Sequence, residues 1–278
     1  MTRIVVTSAS GANGDGYGAL LCFSPDGDLA GPFSDDTRIT DPRGLSLSPG
    51  GDLIYVTSGD DRVLALNRNG KVVLDSGRTE GLDPGGGTFA PDGRYCVTLR
   101  RRGTILALPS GLDTKGEPLL PNGVVPFPRG FGFGAAGEIY LSSGIGPSGE
   151  GDNTITVFDH RGKLRNPRLV SDPELSPLDL TIAPNGNVVV SSEQPFGDPN
   201  AVTTLREYDR SNGRLVRVLA PDRGLGFRKP RGLRFGSDGK LYCVAQDEVV
   251  AFDFATGECL GPIVRLPRLN GQGAIFFG

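Results

Sequence analysis

A repeat of about 46 residues constrains this chain more than any other feature of its sequence. Each unit predicts a short strand, a tight turn, and a second strand rich in β-branched and aromatic residues. A further hairpin follows each unit, so every repeat contains four predicted strands, as a propeller blade requires. Five units align on a proline and a turn glycine: PRGLSLSPGGDLIYVTS from Pro42, PGGGTFAPDGRYCVTL from Pro84, PRGFGFGAAGEIYLSS from Pro128, PLDLTIAPNGNVVVSS from Pro177 and PRGLRFGSDGKLYCVA from Pro230.

The sixth repeat is divided between the two ends of the chain. GQGAIFFG matches the first strand of the repeat, MTRIVVTS matches the second, and LLCFSPDGDLAGPF supplies the outer hairpin. This arrangement predicts an all-β, six-bladed β-propeller with four antiparallel strands per blade, closed by N- and C-terminal strands that share one blade. We expect residues 1–278 to form a single propeller domain, with blade 1 formed by residues 1–35 and 270–278.

The unit PRGLSLSPGGDLIYVTSGDDRVLALNRNGKVV resembles an NHL repeat, whose pattern runs from P-x-G through a turn glycine to a second hairpin. More loosely, the chain is similar to the SMP-30/gluconolactonase-like and virginiamycin B lyase-like propellers. The first resemblance implies a recognition surface, and the other two imply a lactone hydrolase or a lyase. The fold itself does not choose among these functions, because function depends on the site that the fold carries.

Charge and composition narrow the possible partners. The net charge of −3 and pI near 5.3 give no overall attraction to nucleic acid or anionic membranes. The basic run at Arg100, Arg101 and Arg102 lacks interleaved aromatic residues, which argues against nucleic-acid binding. The segment MTRIVVTSAS lacks the pattern of a leader peptide, and we expect it to form a strand. We expect no membrane-spanning helix, because no run approaches the roughly 18 apolar residues that one needs. The four cysteines lack metal-type spacing, which favours a reduced, cytoplasmic setting. We expect the protein to be a monomer.

Three long loops between the second and third strands of a blade predict one wall of a site. They are SASGANGDGYGA in blade 1, SGIGPSGEGDNT in blade 4 and SEQPFGDPNAV in blade 5. Long loops on a rigid scaffold favour binding, although surface insertions also arise by drift because they cost little stability. The ligand-binding candidates on these loops are Asp152, Asn153 and Phe196.

The residue after the anchoring proline is expected to lie closest to the propeller axis. Arg43, Arg129 and Arg231 occupy this position, and Gln272 is its counterpart in the C-terminal strand. Guanidinium groups that converge there would form a site for a carboxylate or a phosphate. The alternative is that each arginine pairs with a loop carboxylate such as Asp83 or Asp172.

The next position holds glycine in five repeats and Asp179 in the sixth, which makes Asp179 the candidate for a general base. Glu193 is the second candidate catalytic carboxylate. We predict no cofactor; the SMP-30 resemblance implies Ca²⁺ as an alternative, with Asp179, Glu193, Asp152 and Asn153 as its ligands. His160 is the single histidine, and it lies in a predicted turn on the opposite face. The proposed site therefore has no histidine to serve as a catalytic base or as a zinc ligand.

The sequence therefore predicts an NHL-like propeller that binds a small or peptide-like anionic ligand at the channel mouth. Phe196 and the loops of blades 4 and 5 would cover the apolar part of this ligand. A lactone hydrolase or lyase-like enzyme using Asp179 and Glu193 is the second possibility. A protein-interaction platform on the same face is the third.

Overall fold

The computed structural model describes residues 3–11, 18–109, 111–112, 115–144, 149, 151–198, 200–219 and 227–277. These residues form twenty-four β-strands in six four-stranded sheets, which confirms the predicted six-bladed propeller. In the described parts of the chain, no helix has the length and hydropathy of a membrane span.

Within each blade, we call the strands A to D from the axis outward. Blade 1 consists of β24 (Ala274–Phe277), β1 (Arg3–Ser8), β2 (Ala19–Phe23) and β3 (Leu29–Ser34), and blade 2 of β4 (Pro42–Leu47), β5 (Leu53–Ser58), β6 (Arg62–Asn67) and β7 (Val72–Asp75). Blade 3 consists of β8 (Pro84–Phe89), β9 (Tyr95–Leu99), β10 (Thr104–Leu108) and β11 (Glu117–Pro118), and blade 4 of β12 (Pro128–Phe133), β13 (Ile139–Ser143), β14 (Thr154–Phe158) and β15 (Leu164–Ser171). Blade 5 consists of β16 (Pro177–Ile182), β17 (Val188–Gln194), β18 (Val202–Tyr208) and β19 (Leu215–Leu219), and blade 6 of β20 (Gly232–Phe235), β21 (Leu241–Val244), β22 (Glu248–Phe252) and β23 (Cys259–Arg265).

The last strand of the chain closes the ring. Strand β24 is strand A of blade 1 and pairs antiparallel with β1, so that Ile4 lies opposite Phe276. Strand A of each blade then contacts strand A of the next blade around the whole ring. The prediction that the two ends of the chain share one blade is confirmed.

The hydrophobic core is divided into six clusters, each between two neighbouring blades. Between blades 1 and 2, for example, Leu20, Leu45 and Ile54 are completely buried against one another. Burial of one such side chain contributes about 1.5–3 kcal/mol. Because every interface between blades has its own cluster, the loops around the axis rest on a rigid scaffold.

The start of strand A is bulged in blades 2 to 5, because its register with strand B shifts just after the anchoring proline. In blade 2, the Thr57 hydroxyl fills the bulge: it accepts a hydrogen bond from the Gly44 amide and donates one to the Gly85 carbonyl of blade 3. Thr98, Ser142 and Ser191 bond in the same region in the next three blades. A bulge re-aims the side chain that it carries, which here is the residue after the proline.

Candidate functional site

A small cavity on the propeller axis brings together most of the predicted site residues. This axial cavity has a volume of about 50 Å³ and lies at the end of the channel where strand A begins. Arg43, Arg129, Arg231 and Gln272 line it, and so does Asp179. The expected convergence of these side chains is therefore present, and their binding of a ligand stays a prediction.

Two further arginines line the axial cavity. Arg100 comes from the loop between strands B and C of blade 3, and Arg234 comes from the middle of β20. Five guanidinium groups and one carboxylate, that of Asp179, thus line the axial cavity. Polar backbone reaches the same wall at four glycines, Gly44, Gly85, Gly86 and Gly130. This lining suits a ligand with negative charge.

Arg43 and Arg100 share a carboxylate at the rim of the cavity. Asp83 Oδ1 lies 2.8 Å from Nη1 of Arg43 and 2.6 Å from Nη2 of Arg100. Burial raises the pKa of Asp83, but the hydrogen bonds from the two arginines outweigh it and hold the pKa below its usual value. For Arg43, the alternative prediction of pairing with Asp83 is therefore correct, and Asp41 adds a second ion pair at 2.9 Å.

Asp172, the other carboxylate considered as a partner for these arginines, lies elsewhere. Its Oδ2 accepts hydrogen bonds of 2.8 Å from Arg206 Nη1 and from the Tyr208 hydroxyl. Asp172 therefore anchors the connection into blade 5.

Arg129 lies between two aromatic rings. The guanidinium carbon is 5.0 Å from the centroid of Phe127 and 4.8 Å from that of Phe196, and Arg100 approaches the Phe127 ring at 5.7 Å. These four residues, Arg100, Phe127, Arg129 and Phe196, form a cation–π stack across blades 3, 4 and 5. Burial, followed by repulsion from Arg100 and Arg231, lowers the pKa of Arg129 to about 10. The group stays protonated at neutral pH, although burial disfavours its charged form.

Arg231 also carries a poorly solvated charge. Its buried Nε has no hydrogen-bond partner among the described residues. Burial lowers the pKa of Arg231, although attraction to Glu193 and Asp41 opposes this shift. A buried donor without a partner has a free-energy cost that an incoming anion can relieve.

Backbone strain is concentrated at the same mouth. Asp41, Asp83, Phe127 and Lys229 each directly precede the anchoring proline of a blade and have φ values of 44°, 39°, 43° and 48°. Residues other than glycine rarely adopt this left-handed region, and such strain of about 1–3 kcal/mol per residue is often found at functional sites. The conformation recurs in blades 2, 3, 4 and 6, so it is a systematic property of this face.

Asp179 is held by backbone amides. Its Oδ1 accepts a hydrogen bond from the Leu180 amide and its Oδ2 accepts one from the Leu233 amide of blade 6, both at 2.9 Å. Burial raises the pKa of Asp179, against the attraction of Arg234, whose Nη1 is 3.6 Å from Oδ2. Blade 4 has a glycine at the equivalent position because a Cβ on Gly130 would collide with Asp179. Asp179 therefore joins blades 5 and 6, and a catalytic role for it stays a prediction.

Glu193 lies below the surface of the mouth. Its side chain is completely buried in β17, where Oε1 accepts a hydrogen bond from the Lys229 amide at 3.3 Å and Oε2 accepts one from the Gly197 amide at 3.4 Å. These bonds fix the loop that presents Phe196. Glu193 is not among the residues that line the axial cavity, and its proposed catalytic role also stays a prediction.

Asp152 and Asn153 are not part of the axial cavity lining. Asp152 forms an ion pair of 3.2 Å with Arg168 on β15, the outer strand of blade 4. Among the described residues, no group of three or more His, Cys, Asp or Glu side chains is placed to hold a metal ion. Calcium binding by Asp179, Glu193, Asp152 and Asn153 stays a prediction. Parts of the predicted loop wall, residues 12–17, 145–148, 150 and 199, lie outside the described residues.

A larger groove adjoins the axial cavity on the side of blade 3. It has a volume of about 750 Å³ and shares Arg43 and Arg100 with the axial cavity. The groove also contains the exposed charges of Arg101 and Arg102, the Asp83 carboxylate, and an apolar surface formed by Pro126 and Phe127.

Arg100, Arg234 and Phe127 are functional candidates that the sequence did not single out. Phe127 could have been found, because it directly precedes the anchoring proline as Asp41 and Asp83 do. Arg100 belongs to the basic run, and the position of this run between two strands of blade 3 was the available signal. The first strand of every other blade has a small or apolar residue where Arg234 lies. The positive charge at this position was therefore a signal in the sequence.

Solved structures with the same fold have several different functions. The chain is similar to a chain in the nidogen/laminin complex, at 14% identity and a TM-score of 0.72 over 98% of this chain and 96% of that one. It is similar to a candidate gluconolactonase, at 17% identity and a TM-score of 0.64 over 85% of this chain and 81% of that one. It is also similar to virginiamycin B lyase from Staphylococcus aureus, at 19% identity and a TM-score of 0.59 over 84% and 73%.

These similarities confirm the propeller types to which the repeat was likened. At such low identity they establish the fold and leave the function open. No protein-family model and no curated protein matches the sequence.

Proposed function

We propose that this protein binds an anionic ligand at the channel mouth, with the negative group in the axial cavity. The observation that carries this proposal is the lining of that cavity by five guanidinium groups and one carboxylate. Arg129 and Arg231 are the central residues, because burial lowers the pKa of both. A bound anion would favour the charged forms of both groups, which burial disfavours.

The sizes of the two cavities indicate the shape of the ligand. A volume of about 50 Å³ is several times the 10–15 Å³ that one water needs, so it suits a carboxylate or phosphate group and no larger body. The remainder of the ligand would extend into the groove of about 750 Å³, past Arg43 and Arg100. The apolar surface of Pro126 and Phe127 suits a peptide-like body.

Titration calorimetry at low ionic strength tests the proposal with inorganic phosphate, succinate and the dipeptide N-acetyl-Ala-Asp. We expect saturable binding, with the dipeptide the tightest because it also occupies the groove. Arg129→Gln and Arg231→Gln should each weaken binding about tenfold, since one charge-assisted hydrogen bond is lost. Higher salt should weaken binding further, because these attractions are screened.

Arg94→Gln is the matched control, since Arg94 pairs with Asp92 in a turn at the other end of the channel and does not line the axial cavity. This variant should bind like the unmodified protein. The proposal fails if none of the three anions binds, or if the Arg231 and Arg94 variants bind equally well. Melting temperatures of all variants show whether any loss of binding comes from unfolding.

A further inference from the structure

The channel has a second pocket at the end opposite the mouth. This underside pocket has a volume of about 390 Å³, within the usual range of small-molecule sites. Blades 6, 1, 2 and 3 contribute to it, and its principal apolar side chains are Leu47, Phe89, Phe235, Ile275 and Phe276.

Arg234 separates the underside pocket from the axial cavity, and it lines both. From β20 in blade 6, its guanidinium reaches across the channel: Nη2 is 3.4 Å from the Gly87 carbonyl of blade 3, on the far side of the ring. Nη1 donates to the Leu233 carbonyl at 2.6 Å and lies 3.6 Å from Asp179. An apolar pocket therefore ends at a guanidinium group.

The walls of the underside pocket are pre-organised, because a second aromatic ring lies behind each aromatic wall residue. Phe235 packs edge-on against Phe254 at a centroid distance of 5.0 Å, and Phe276 packs against Tyr242 at 4.2 Å. Phe89 packs against Tyr55 at 5.0 Å and also against Tyr95. Such pairs restrain the lining rings, so a ligand would not have to order them on binding.

We infer that the underside pocket is a second binding site, at the end of the channel opposite the mouth, for a small apolar carboxylic acid. The apolar body would contact Phe89, Phe235 and Phe276, and the carboxylate would accept hydrogen bonds from Arg234. The positive charge of Arg234 favours an acid over an amine or an alcohol. Arg234 has five N–H donors. Among the described residues, it donates two hydrogen bonds to backbone carbonyls and forms one longer ion pair, so donors remain for a carboxylate. An apolar amine would instead bring two positive charges together.

The test is titration calorimetry with three ligands of equal chain length: octanoate, octanol and octylamine. We expect octanoate to bind, octanol to bind about tenfold more weakly because the charge-assisted bonds are absent, and octylamine not to bind. Thr88→Phe, which places a bulky side chain in the lining, should abolish octanoate binding. Octanol binding as tightly as octanoate, or octanoate binding unaffected by Thr88→Phe, would overturn the inference.

Arg129→Gln is the matched control for the location of the site. It removes a guanidinium from the mouth and should leave octanoate binding unchanged, since Arg129 does not line the underside pocket. Loss of octanoate binding in this variant would place the acid at the mouth and contradict the inference. Should Thr88→Phe fail to fold, Ser237→Trp at the exposed rim of the same pocket provides a second blocking variant.

Discussion

The two ends of the channel are built from the same six inner strands, yet their chemistry is opposite. At the mouth, strand A begins with Arg43, Arg129 and Arg231, and the cavity there is small and cationic. At the underside, the same strands end with Leu47, Phe89 and Phe235, and the pocket is larger and apolar. The position of a side chain in the channel therefore depends on its place in the blade, and the residue types at those positions determine what each end can bind.

Asp179 provides the strongest test of this comparison, because it lines the cavity at the mouth, joins two blades and pairs with Arg234, the residue that lines both cavities. Asp179→Ala should lower the free energy of unfolding by about 3 kcal/mol, since the buried Leu233 amide loses its acceptor and Arg234 loses its counter-charge. Urea denaturation measures the effect. Asp26→Ala, in an exposed turn, is the control. A loss for Asp179→Ala no larger than that of the control would show that the carboxylate does not join the blades.

A substitution of Arg231 tests whether the positive charge at the mouth contributes to ligand binding rather than to the stability of the fold. Arg231→Met should raise the free energy of unfolding of the ligand-free protein by about 1 kcal/mol, because a poorly solvated charge is replaced by an apolar chain. The same variant should lose phosphate and succinate binding. Chemical denaturation and calorimetry measure the two effects. A decrease in both stability and affinity would mean that Arg231 is part of the scaffold.

The pH dependence of stability tests the ion pairs of Asp83 at the rim of the mouth. The pKa of Asp83 is lower in the folded protein than its ordinary value. Its contribution to stability is therefore complete above about pH 4 and is lost as the pH falls through the folded pKa. Asp83→Asn should show a smaller loss of stability on acidification than the unmodified protein. Identical slopes between pH 5 and pH 2 would exclude Asp83 as a source of acid sensitivity.

Phe196 should give the smallest effect. Phe196→Leu keeps an apolar side chain but removes one ring from the cation–π stack. We expect phosphate affinity at the mouth to fall by about 0.5–1 kcal/mol, because Arg129 is held less firmly. Octanoate binding at the underside serves as the internal control and should not change. A loss at both ends would indicate a general change in the propeller.

The sequence predicted the architecture well because its information is periodic. A proline, a turn glycine and a strand recur in fixed order. This order predicts the number of blades, the four strands of each blade, and the blade that the two chain ends share. The convergence of Arg43, Arg129 and Arg231 could be predicted for the same reason, since one register places them equally near the axis.

Residues outside that register could not be placed in the same way. Arg100 reaches the cavity from a different loop, and Arg234 reaches it by crossing the channel, so both depend on distances that a repeat does not contain. Asp179 and Glu193 stood out as carboxylates near the mouth. Their bonds to the amides of Leu233 and Lys229 come from neighbouring blades and are visible only in three dimensions.

The position of Arg234 has a thermodynamic consequence. One guanidinium serves both ends, so a carboxylate bound from the underside would draw it away from Asp179, which lines the axial cavity. Binding at either end would then change the affinity of the other, and linkage requires the two changes to be the same factor. A single side chain would make two chemically distinct cavities cooperative without any movement of the blades.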